Sequence, residues 1–157
     1  MQDIVTILDQ MSLEEQVMLL SGADFLDGGG QCAAGHRLVA VTNGPNGARG
    51  GGSLVGGVKS AAFPVGIALG ATWDADLVQA IGKVMAEAVK SKGAHVSLAP
   101  TCNIQRSVTN GRNFECYSED LILTANLAVG YIQGLQGEGV AAKTWGIMSS
   151  CNKVNGT

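Results

Sequence analysis

Two stretches of helical spacing, each flanked by short apolar runs, restrict this chain more than anything else in it. In the first, Thr72 can cap a helix in which Leu77, Ile81, Val84, Met85 and Ala88 fall on one face. Lys90 and Lys92 sit in its last turn and Gly93 closes it. In the second, Ser118, Glu119 and Asp120 form an acidic N-terminus for a helix through Leu127, Tyr131 and Leu135 to Gly137. The strand-like runs are Leu38–Thr42, Phe63–Leu69, His95–Ala99 and Gly139–Ala142. Strand and long helix in alternation is the rhythm of parallel units, because parallel strands need a crossover where antiparallel ones need only a turn. The predicted class is α/β.

Further signals lie between these elements. Ser12-Leu13-Glu14-Glu15 has capping-box spacing, with Ser12 serving the N3 amide and Glu15 reaching back, so a first helix is expected to run to about Ser21-Gly22. Ala23–Gly35 is Gly-rich and without period, hence loop. Asn43-Gly44-Pro45-Asn46-Gly47 reads as a turn. Gly50–Gly57 holds five glycines and little to bury, which predicts a mobile loop.

With 157 residues, 46% hydrophobic and 15% charged, the chain is expected to form one globular piece. A net charge of −3 without a Lys/Arg cluster argues against nucleic acid and anionic membranes as partners. The opening MQDIVTILDQMSLEEQ lacks the basic segment of a signal peptide, and no apolar run is long enough to span a bilayer, so the expected location is cytoplasmic. Cys32, Cys102, Cys116 and Cys151 are widely spaced with no C-x-x-C pair, which predicts reduced, partly buried thiols and no zinc site.

Gly28–Ala33 matches the relaxed dinucleotide pattern G-x-G-x-x-A, but Ala23–Asp27 is not strand-like and Ala34-Gly35 interrupts any helix after it. The only histidines, His36 and His95, have no Ser-x-Gly elbow or second ligand nearby, so neither a serine-type triad nor a metal centre is expected. His95, between Ala94 and Val96, reads as a hydrogen-bonded packing residue. No cofactor is expected.

The most informative run is Leu98–Asp120, LAPTCNIQRSVTNGRNFECYSED, where a strand-like start feeds a polar stretch with Arg106, Arg112, Glu115, Glu119 and Asp120 around Gly111. An α/β scaffold presents ligand sites in this way. Arg112 can fork two hydrogen bonds onto vicinal hydroxyls, with a glycine beside it to let a ligand approach, or it can serve a structural salt bridge to Glu115 or Glu119. Arg106, without that glycine, divides evenly between the two roles.

Together with Val41–Gly50 (VTNGPNGARG), Phe63–Asp74 (FPVGIALGATWD) and Ile147–Thr157 (IMSSCNKVNGT), that run resembles the N-terminal (β/α)8-barrel domain of family 3 glycoside hydrolases, the β-glucosidase group, over nearly the whole chain. The resemblance implies a TIM-type barrel, a β-glucoside as substrate, retention, and no cofactor or metal. It puts a sugar-binding arginine at Arg112. It also puts a sugar-binding aspartate where this chain has Asn43, an amide that keeps the shape and loses the charge.

Two departures limit what the resemblance implies. A complete barrel takes about 250 residues, so 157 can hold only part of one. After Gly139-Val140-Ala141-Ala142 the family pattern continues with a sugar-binding Lys-His pair, a helix and a further strand, whereas Lys143-Thr144-Trp145-Gly146-Ile147-Met148 follows here at once. Lys143 is therefore not assigned the sugar-binding role, and Cys151 stands where the family usually has tyrosine. Adjacent parallel strands need a crossover of about 10–12 residues, so residues 142–145 read as an internal deletion. A sheet that stops there leaves an open edge through which copies can associate. Retention needs two carboxyl groups about 5–5.5 Å apart, and the family's nucleophile lies in a Ser-Asp-Trp context beyond Thr157. No catalytic residue is named: the chain reads as residues 1–157 of an incomplete, truncated barrel domain whose Asn43, Arg112 and Arg106 line a sugar subsite. The alternative is a non-catalytic sugar-binding or interaction module.

Overall fold

The computed structural model describes residues 4–18, 27–28, 39–50 and 59–142. Two short helices, α1 (Ile4–Asp9) and α2 (Leu13–Met18), open the chain. The capping box at α2 forms: Glu15 N donates to Ser12 Oγ (3.3 Å) and Ser12 N donates to Glu15 Oε2 (2.9 Å). α1 has no counterpart in the sequence reading, and the expected helix end at Ser21-Gly22 lies outside the described residues.

Four strands follow in chain order: β1 (Asp27–Gly28), β2 (Val39–Asn43), β3 (Val96–Leu98) and β4 (Ala141–Ala142). β2, β3 and β4 are parallel, with Thr42 opposite Ser97 and Ser97 opposite Ala142. The two crossovers carry α4 (Ala75–Ser91) and α5 (Leu121–Gly137). Parallel strands laid down in sequence order, with a helix after β2 and after β3, match an arc of a (β/α)8 barrel, whereas a doubly wound sheet reverses its order at a switch point. Thr42 and Ser97 are fully buried on one face of the sheet. Val41, Asn43, Val96 and Leu98 lie on the other face and are only partly covered.

β1 pairs antiparallel with Val39 and Ala40, so Asp27-Gly28 is strand after all. Its two residues carry no apolar alternation, so side-chain patterning missed it. An antiparallel edge is not the parallel βα unit that a dinucleotide fingerprint requires, and residues 29–38 lie outside the described set, as do all but Gly50 of the predicted loop Gly50–Gly57 and the deletion region past Ala142.

Three local readings are corrected. Phe63–Leu69 is not a strand: residues 59–65 are irregular and Gly66–Gly70 forms a short helix, α3. Glycine makes this possible, since a Cβ at Gly66 would sit 2.1 Å from Glu115 O and one at Gly70 1.9 Å from Tyr117 O. The N-cap of α4 is Asp74, whose Oδ1 accepts from Leu77 N (2.9 Å), while Thr72 Oγ1 accepts from Asp74 N one turn earlier. The buried stripe of α4 is Val78, Gly82, Met85, Ala86 and Val89; Leu77 and Val84 are exposed. Small residues mark the true face, and hydrophobicity counting passes over them.

The strands at Val39–Asn43, Val96–Leu98 and Ala141–Ala142 fall within one or two residues of the predicted runs. Gly93 follows α4 with φ 71° and Asp120 caps α5, its Oδ1 accepting from Leu123 N (2.7 Å). Leu127, Tyr131 and Leu135 are buried on α5 in a core shared with Val78, Met85, Val89 and Val140.

Candidate functional site

The site lies at the carboxyl end of β2 and β3, where parallel α/β folds collect their ligand-binding loops. Asn43 is the last residue of β2. The chain then turns back on itself: Gly47 N donates to Gly44 O (3.3 Å) and Arg49 N donates to Asn43 O (3.1 Å). Gly44 adopts φ 127° and Gly47 φ 152°, values that side-chain-bearing residues avoid. Phe63 N donates to Asn46 O (2.9 Å), which ties the approach to α3 against the turn. From α5, the Tyr131 hydroxyl donates to Pro45 O (3.1 Å). Burial pushes that hydroxyl above the usual tyrosine range, so it remains a donor at any working pH.

The opposite wall comes from the polar run after β3. Gln105 Nε2 donates to Asn113 O (3.0 Å) and Cys116 O (3.2 Å), bracing both ends of the single 3-10 turn Asn113–Glu115. Asn113 Nδ2 donates to Ser107 O (2.7 Å). Arg112 precedes that turn in the left-handed region, φ 63°. Its Nε donates to Glu115 Oε1 (2.9 Å) and its Nη2 to Glu115 Oε2 (2.7 Å). Glu115 Oε2 also accepts from the Thr101 hydroxyl (3.3 Å).

Between the walls is a cleft of about 540 Å³, lined by the Asn43–Arg49 loop, Ser60–Ala62, Arg112 and Glu115. Asn43 and Arg112, far apart in the chain, thus meet in one cavity. The salt bridge foreseen for Arg112 forms with Glu115, and Arg112 lines the cleft as well. Arg106, exposed on the same run, is outside the residues that line it. Arg49 lines the cleft and was not singled out from sequence, where an arginine in a glycine-rich loop carries no sign of which way it faces. Glu119 and Asp120 belong to the start of α5, as expected of helix N-terminal charges.

His95 is hydrogen-bonded as its position suggested, its Nδ1 accepting from Ala40 N (3.1 Å) and its own N donating to Ala40 O (2.8 Å), but it is exposed at the strand start and not packed in the core. Among the described residues Cys102 is exposed and Cys116 buried, and neither is in a disulfide, while Cys32, Cys151 and His36 lie outside the described residues. No described helix is long and apolar enough to cross a membrane.

A family model described as the glycosyl hydrolase family 3 N terminal domain matches residues 46–146. The chain is 65% identical over 136 residues to a beta-glucosidase of Rhizobium radiobacter, across 87% of this chain and 17% of that protein. It is 47% identical over 139 residues to beta-glucosidase B of Emericella nidulans, across 88% of this chain and 16% of that one. The crystal structure of a Kluyveromyces marxianus beta-glucosidase in complex with glucose superposes with a TM-score of 0.86 at 39% identity, over 91% of this chain and 17% of the other. The chain therefore spans about a sixth of the length of these relatives.

Proposed function

This chain belongs to the N-terminal domain of glycosyl hydrolase family 3, and from that premise we propose that its cleft is the glucosyl-holding part of a β-glucosidase barrel. The parent activity is hydrolysis of terminal β-linked glucosyl residues, with retention. The observation that carries the reading is the meeting of Asn43 and Arg112, with Arg49, in one cavity at the carboxyl end of the strands. Guanidinium N–H groups and a side-chain amide are the donors and acceptors that ring hydroxyls need. Arg106, exposed and outside the lining of the cleft, is assigned an outer contact only.

Holding and cleaving are separate matters here. Glu115 is the one carboxylate among the described residues that line the cleft, and Arg112 engages both its oxygens. Retention requires a second carboxyl group about 5–5.5 Å away. We therefore read the 157-residue chain as binding a β-glucoside without cleaving it. Titration with glucose or gluconolactone, followed by tryptophan fluorescence, is expected to give a saturable change. No change at millimolar ligand sinks the reading, and steady release of nitrophenol from its β-glucoside by the purified chain sinks the binding-only part.

The chain passes from β4 at Ala142 to Trp145 with no room for a crossover helix, and we read residues 142–145 as an internal deletion. Among the described residues β4 pairs only with β3. Association of copies through that edge follows, and sedimentation of the purified chain tests it: a monomer across the micromolar range excludes it.

A further inference from the structure

We infer that Glu115 is the positioning residue of this cleft: its carboxylate sets the orientation in which the Arg112 guanidinium meets a bound sugar. The inference rests on the sugar-binding reading above and adds a residue that the family resemblance did not assign. Glu115 is only 8% exposed although it lines the cleft. Both of its oxygens are occupied, Oε1 by Arg112 Nε at 2.9 Å, and Oε2 by Arg112 Nη2 at 2.7 Å and the Thr101 hydroxyl at 3.3 Å. Two parallel bonds fix the plane of a guanidinium as a single bond cannot, and a head group already held in place loses less freedom when a ligand arrives.

The backbone supports the same conclusion. Arg112 projects from a left-handed residue, a conformation that persists only where its surroundings impose it. Gln105 braces the turn that carries Glu115. Behind it the Glu115 carbonyl lies so close to Gly66 that a Cβ there would be 2.1 Å away, so the turn cannot slide toward α3. Gln105 and the contact with Gly66 hold the backbone of the turn, Thr101 holds the carboxylate, and the carboxylate in turn holds the arginine at the cleft wall.

The test titrates glucose into the full 157-residue chain as wild type, Glu115→Gln, Arg112→Ala and the double variant, with a thermal melt of each. Glu115→Gln is expected to bind glucose about tenfold more weakly, within about twofold of Arg112→Ala, and the double variant no more weakly than Arg112→Ala alone. The positioning role is overturned if Glu115→Gln melts earlier yet binds as wild type does, the mark of a purely structural carboxylate, or if the two losses multiply. Should Glu115→Gln fail to fold, the Arg112 Nε–H resonance of the wild type decides. A slowly exchanging signal that shifts with glucose supports the inference, and a rapidly exchanging or unmoved one overturns it. Wild type that binds no glucose defeats the sugar reading and this inference together, whereas binding by wild type with an indifferent Glu115→Gln defeats the inference alone.

Discussion

Glycine serves the cleft and the seam between α4 and α5 in opposite ways. In the loop after β2 it supplies dihedral angles: Gly44 at φ 127° and Gly47 at φ 152° let the chain fold back so that Asn43 and Arg49 line one cavity with Arg112. In the seam it supplies room. A Cβ on Gly82 would lie 2.5 Å from Tyr131 O, one on Gly130 2.7 Å from Ala75 O, and one on Gly134 2.3 Å from Gln79 O. The two helices touch backbone to backbone at these points, and the contacts advance together along both, so they run parallel. One residue type thus shapes a recognition loop in one place and lets two helices approach in another. A fault in the loop is local, whereas a fault in the seam separates the two layers of the core.

Substitutions can break that comparison. Gly134→Ala is expected to have the largest effect, a loss of about 3 kcal/mol or more in urea unfolding, because the new methyl meets backbone on both Gln79 and Gly82. Gly44→Ala is expected to cost about 2 kcal/mol through φ and the Gly47 carbonyl, and to abolish glucose binding while the helices persist by circular dichroism. If Gly44→Ala melts the helices as Gly134→Ala does, the two regions are not separable. Tyr131→Phe tests a bond that links them, and should cost about 1 kcal/mol while weakening glucose binding, since Pro45 loses its donor and the ring still fills the core.

Two smaller changes sharpen the contrast. Asn43→Asp restores a charged acceptor at the strand end and should tighten glucose binding several-fold, by about 1 kcal/mol, as seen in calorimetric titration. Gly137, in the last turn of α5, has nothing within 4 Å of a built Cβ and no left-handed φ. Gly137→Ala should therefore raise stability by roughly 0.5 kcal/mol, the opposite sign to Gly134→Ala three residues earlier, because only chain entropy is at stake.

Much of the framework was legible because it depends on near neighbours in the chain. The Ser12 capping box, the Ser118–Asp120 start of α5, Gly93 after α4 and the Leu127–Tyr131–Leu135 stripe are local, and each appears where its spacing placed it. Phe63–Leu69 misled for the converse reason: an apolar run carries no period to separate strand from helix, and what made it α3 was the close approach of the Glu115 and Tyr117 carbonyls to Gly66 and Gly70. The face of α4 was misjudged because Gly82 and Ala86 are counted as weak hydrophobes, though their small size is what seats the helix on α5.

The sequence by itself determined the α/β class, the ends of α5, the close of α4 at Gly93 and the residue types available for a polar site, since caps, turns and helical spacing act over a few positions. Only the tertiary structure decided that Asn43 and Arg112 share a cavity, that Arg49 joins them, and that Arg112 meets Glu115 and the cleft at once. The physical reason is distance along the chain: hydrogen bonds between neighbours are written into spacing, while contacts between β2, the run after β3 and α5 exist only once the parallel strands have paired and the helices have closed over them.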